Sequence, residues 1–181
     1  RNVRGTLFVD YVRMLRARKD IDWAAKLEPA DRIFLDRRVV AEQWYPMEAF
    51  ERLGLAILAE VAGGEIAAVR AWGRASIDGL RLVHPELVTV GDARETLMKF
   101  HVLRTGFFDF PALTVHDIND GEATLEISYQ IGKLAEEAAA NQTLGFFERL
   151  LELAEVRSPT AAFASRSWVG DPTTLVELHW E

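Results

Sequence analysis

In the N-terminal half of the chain, apolar residues recur at three- and four-residue steps, the spacing of one helix face. Gly5 to about Lys19 reads as a first helix with Phe8, Val9, Val12 and Leu15 on one side and a basic end at Arg13, Arg16, Arg18 and Lys19. Such cations complement a helix C-terminus. Glu28-Pro29-Ala30-Asp31 opens a short helix with Pro in its first turn, and Ile33, Phe34 and Val39 form its apolar side. Trp44-Tyr45-Pro46 breaks it, because a residue before proline avoids helical geometry. Met47 to Val61 is the clearest helix, with Met47, Phe50, Gly54, Ile57, Leu58 and Val61 in one stripe and a stop at Gly63-Gly64.

A second long helix runs from about Glu65 to Leu82, with Ile66, Val69, Gly73, Ile77 and Leu80 aligned. A glycine inside a helix costs about 1 kcal/mol against Ala, so Gly73 implies close packing or a ligand. His84-Pro85-Glu86 ends this helix. Asp92 with Glu95 caps the next, which reaches Thr105 and carries Leu97, Phe100, His101, Arg104 and Phe108 on one broad face.

The period then changes. Leu113 to His116 and Ala123 to Tyr129 alternate apolar and polar around Asn119-Asp120-Gly121, the mark of a β-hairpin. Leu134 to Asn141 is Ala- and Glu-rich, either helix or mobile connection. Thr143 to Glu155 is helical, with Leu144, Phe147, Leu150, Leu151 and Ala154 on one side. A second hairpin joins Ala161–Trp168 to Thr174–Trp180 through Gly170-Asp171-Pro172. The prediction is α+β: a helical N-terminal half, then β-β-α-β-β with a four-stranded antiparallel sheet. At 181 residues the chain is expected to be a single ligand-binding or scaffold-type domain over 1–181.

Charge narrows the partners. A net charge of −7 argues against nucleic acid, which needs a basic face. No apolar run approaches the ~20 residues that span a bilayer. Cysteine is absent, which removes thiolate metal sites and cysteine nucleophiles and suits a cytoplasmic location. The chain starts at Arg1 and not at Met, so a trimmed N-terminus is expected. Phosphate-loop, Gly-x-Ser-x-Gly and paired-histidine signatures are missing. His116, Asp117 and Asp120 have metal-ligand chemistry, but turn formation accounts for them. Glu136, Glu137, Glu148, Glu152 and Glu155 read as a solvated helix face.

The element order, closing on Arg166-Ser167-Trp168-Val169-Gly170-Asp171-Pro172, resembles the ligand-binding fold of nitric-oxide signalling and Golgi-transport proteins. That group holds haem-nitric-oxide/oxygen-binding domains, 4-vinyl-reductase domains and TRAPP core subunits. A narrower resemblance is to an uncharacterised paralogous family of bacterial, myxobacterial-type domains. Gly5-Thr6-Leu7-Phe8 with Tyr11-Val12, Trp44-Tyr45-Pro46-Met47-Glu48-Ala49-Phe50, Val69-Arg70-Ala71-Trp72-Gly73-Arg74-Ala75 and Glu177-Leu178-His179-Trp180 carry it. The haem relatives hold iron through a helix histidine and the propionates through a Tyr-x-Ser-x-Arg run, which would place His101 at the iron. Here the run reads Tyr129-Gln130-Ile131-Gly132-Lys133, with serine and arginine replaced. Cysteines of the 4-vinyl-reductase relatives correspond to Ser165, Ser167, Thr173 and Thr174. The TRAPP relatives imply a homodimer.

The resulting expectation is a non-enzymatic, cytoplasmic sensory or scaffold module for a small apolar ligand or a protein partner, with no cofactor. Its pocket would be lined by Trp72, Phe100, Phe107 and Phe108, with Arg74, His101, Arg104 and Tyr129 as polar anchors. The alternatives are a haem gas sensor using His101 and an enzyme whose site folding assembles.

Overall fold

The computed structural model describes residues 1–181 as two compact units, one of Arg1–Ile66 with Thr105–Phe110 and one of Ala67–Arg104 with Pro111–Glu181.

In the first unit, β1 (Asn2–Arg4) pairs antiparallel with β2 (Trp44–Pro46) and leads directly into α1 (Gly5–Ala17). The ribbon was not predicted; Pro46 ends β2 where its missing N–H does no harm. Short α2 (Trp23–Lys26) and α3 (Pro29–Asp36) follow, then α4 (Met47–Ala56), which continues as a π-helical turn over Ile57–Val61. The predicted stripe is thus real, but its last turn is wider than an α-helix. Phe8, Val12, Leu15, Met47 and Leu53 are fully buried here. Phe8 stacks on Tyr45 at 4.5 Å, and Tyr11 on Phe50 at 4.2 Å. Gly5 is required, because a Cβ there would lie 1.9 Å from the Val40 carbonyl oxygen.

In the second unit, α5 (Ile66–Val83, from Ala67 onward) and α6 (Ala93–Leu103) precede β3 (Leu113–His116), β4 (Glu122–Ile127), α7 (Lys133–Leu153), β5 (Thr160–Ser165) and β6 (Thr174–His179). The strands form the predicted four-stranded antiparallel sheet, and its order is β3-β4-β6-β5. Leu113 faces Ile127, Leu125 faces Val176, and a register shift interrupts β5 between Phe163 and Ser165. Ala123, Leu125 and Ile127 of β4 and Val176 and Leu178 of β6 point to the buried face.

α7 is one helix where two segments were predicted. Its first half buries Ala135, Ala138 and Ala140, small residues that carry no large apolar stripe for periodicity to find. α6 ends at Leu103, and a single tight turn over Arg104–Gly106 follows, so Phe108 does not share the α6 face assigned to it.

Candidate functional site

α6 is started by Asp92, whose carboxylate accepts the Glu95 N–H at 2.8 Å. It buries Ala93, Thr96, Leu97 and Phe100. Phe100 meets Phe146 and Phe147 of α7 at 5.2 Å and 5.0 Å between ring centres. That packing sets the rotation of the helix and leaves His101, the next residue, half-buried at the margin of the packed face.

Arg104, one turn on, reaches the first strand of the sheet. Its Nη1 donates to the Leu113 carbonyl at 2.5 Å, and its Nη2 lies 3.4 Å from His101 Nδ1. Its Nε is buried and has no hydrogen-bond partner. Burial pushes the Arg104 guanidinium down from its usual range. Burial also lowers His101, and the charge of Arg104 and then of His116 lowers it further. A guanidinium can only donate, so neutral His101 accepts at Nδ1 and carries its proton on Nε2. Metal-ligating histidines use the opposite arrangement, donating one N–H to an acceptor while the other nitrogen binds. Ligation through Nε2 therefore requires Arg104 to leave Nδ1.

Tyr129, just beyond β4, is buried and its hydroxyl lies 2.5 Å from Thr143 Oγ1 on α7. Thr143 Oγ1 itself donates to the Ala139 carbonyl at 2.9 Å, so the phenol donates and Thr143 accepts. Burial drives the phenol well above its ordinary range, the Thr143 bond lowers it and the Glu136 charge raises it. Glu136, only 6% exposed, accepts the backbone N–H of Tyr129 at 2.9 Å and that of Ile131 at 3.4 Å. Glu136 is thus buried and engaged, and not part of the solvated helix face expected of it. Its place in the first turns of α7, within reach of the N–H groups that precede the helix, was the available signal.

The remaining named residues divide. Trp72 is half-buried on α5. Arg74 donates to both carboxylate oxygens of Glu152 at 2.8 Å and lies 3.4 Å from Glu148, which also pairs closely with Arg70. Glu148 is therefore part of a helix-to-helix ion network, which Glu152 joins from the exposed helix face. Phe107 and Phe108 belong to the first unit. Phe107 accepts the Arg4 N–H through its carbonyl at 2.8 Å, and Phe108 bridges to Val3 of β1. His116 Nε2 lies 3.1 Å from Glu126, and no group of three or more His, Asp or Glu side chains converges on a point that could hold a metal ion. No helix is long and apolar enough to cross a membrane.

No family model and no curated protein matches this sequence. Solved structures do match in fold. An Fe(II) unliganded H-NOX protein from K. algicida aligns with a TM-score of 0.68 at 12% identity, over 98% of this chain and 96% of that one. An oxygen-binding H-NOX domain related to soluble guanylate cyclases aligns at 0.65 with 14% identity, over 98% and 95%. An H-NOX protein from S. oneidensis in the Fe(II)NO state aligns at 0.63 with 14% identity, over 98% and 99%. The chain has the α+β fold of H-NOX domains. The expectation of no cofactor is overturned by these neighbours, which are iron and haem proteins.

Proposed function

We propose that residues 1–181 form one sensory domain that binds haem, with His101 as the iron ligand and a diatomic gas as the signal. The observation that carries the reading is the whole-length likeness to H-NOX structures, together with a histidine at the margin of α6 in the sheet-bearing unit. It displaces the apolar-ligand or scaffold reading as the first choice.

The residues present fit the iron-ligating part of a haem site. His101 is half-buried and neutral at physiological pH by virtue of its lowered proton affinity, which suits an imidazole ligand. The strand apparatus for propionates fits poorly. Ile131 has no polar side chain, Lys133 is exposed, the Tyr129 hydroxyl is committed to Thr143, and Glu136 already holds the strand-end N–H groups. A haem held here would take its iron ligand from His101 and its carboxylate contacts from other donors, and its iron would supply the coordination position for the gas.

The test is a visible spectrum of protein purified after haem-supplemented expression. The expected result is a Soret band that is lost in His101→Ala while the far-ultraviolet circular dichroism stays unchanged. A colourless, folded wild-type protein that also takes up no haem in titration overturns the reading.

A further inference from the structure

Four arginines in this chain show what the Nε and Nη2 edge of a guanidinium does when the fold presents it. Arg18 gives that edge to Asp20 at 2.9 Å and 2.8 Å, and Arg52 gives it to Asp31 at 2.6 Å and 2.8 Å. Arg70 gives it to Glu148, with Nε 3.1 Å from one oxygen. Arg16 turns it to the carbonyls of Leu35 and Phe34, both at 3.0 Å. The two N–H bonds on this edge run parallel and match the two oxygens of a carboxylate.

Arg104 is held by its other end. Nη1 is fixed on the Leu113 carbonyl, Nε is buried without a partner, and Nη2 has only the long approach to His101. No carboxylate pairs with it. A buried donor left unmade costs stability, and a guanidinium cannot shed its proton to escape that cost. The fold therefore tolerates an oriented, half-buried cation whose Nε is shut off without a partner and whose Nη2 meets only His101.

We propose that the Nε and Nη2 edge of Arg104 receives a carboxylate of the bound ligand, and that this draws Nη2 away from His101 Nδ1. The inference rests on the haem reading only for the ligand's identity, where the carboxylate is a propionate. It places acid recognition on the turn after α6 rather than on the strand end, where Glu136 occupies the N–H groups. Acid recognition and the freeing of His101 become one event: the movement that satisfies Nε also removes the donor that keeps the His101 proton on Nε2.

Two measurements test it, and they fail separately. In ligand-free protein, the side-chain Nε–H resonance of Arg104 is identified by its loss in Arg104→Lys. Titration with sodium formate, against sodium chloride at equal ionic strength, should move that resonance saturably in wild type. A resonance that does not respond to formate overturns the inference whatever binds elsewhere. In the second measurement, wild type should prefer haem over its propionate dimethyl ester by about tenfold or more, the worth of a charge-assisted pair. Arg104→Leu should lose that preference, and Arg104→Lys should keep only part of it, since an ammonium has no parallel fork. If haem binds through His101 and Arg104→Leu discriminates as wild type does, this inference falls and the haem reading stands. If neither porphyrin binds, the haem reading falls and the formate titration still decides the carboxylate site.

Discussion

Arg52 and Asp31 show at a single pair how burial decides what a substitution costs. Asp31 is 1% exposed and Arg52 is 37% exposed, so only the carboxylate depends wholly on its partner. Arg52→Ala leaves a buried carboxylate unpaired and should cost about 3–5 kcal/mol in urea unfolding. Asp31→Ala leaves a guanidinium that water and Glu28, at 3.5 Å, can still serve. It should cost distinctly less, and equal losses for the two variants would contradict this account. Tyr129 makes a prediction in pH. Its folded-state affinity for the proton is raised, so folded protein keeps the phenol proton above about pH 10 while the unfolded chain releases it. Stability is fully present below that pH and falls as pH rises beyond it. Tyr129→Phe should flatten that alkaline limb and, with Thr143 still bonded to Ala139, cost about 1 kcal/mol at neutral pH.

At the scale of elements, the contact of α5 with α7 is a backbone-to-backbone seam. A Cβ on Gly73 would lie 1.8 Å from the Gln142 carbonyl oxygen, and one on Gly145 would lie 2.1 Å from that of Arg70. Neither neighbour is a flexible side chain that could step aside. Gly73→Ala and Gly145→Ala must push the helices apart, and each should lower stability by about 3 kcal/mol. Gly79, in the same α5, has nothing within 4 Å of its Cβ position. Gly79→Ala should therefore stabilise by about 0.5–1 kcal/mol. Thermal unfolding of the three variants checks the contrast, and a stabilised Gly73→Ala would remove the seam. Sequence spacing flagged Gly73 as a close approach or a ligand contact, and the seam is the close approach. Gly145 drew no notice, because nothing in its own helix signals that Arg70 lies across it. The ion pairs of Arg70 and Arg74 with Glu148 and Glu152 flank the seam and fix its register.

For the whole molecule, a ligand that binds only the folded chain stabilises it by mass action. Haem at a free concentration 100 times its dissociation constant should add about 2.7 kcal/mol and raise the melting temperature accordingly. His101→Ala should abolish the shift if haem uses that nitrogen. A shift that survives in His101→Ala would show that haem binds without that nitrogen.

Hydrophobic period by itself determined the α+β class, the sheet-forming segments and most helices, because facing one core imposes a period on each element. It also placed His101 and Arg104 near one another, since residues three apart on a helix share a face. Segments without such a period were not legible. The β1–β2 ribbon is too short to alternate, and the first half of α7 buries alanines in place of a large apolar stripe. Only the tertiary structure decided which charges are already spent. Arg74 on Glu152 and Tyr129 on Thr143 are contacts between separate segments, which no local pattern encodes. The same folding left Arg104 with its Nε buried and unmatched, and a missing long-range partner is equally invisible in the chain.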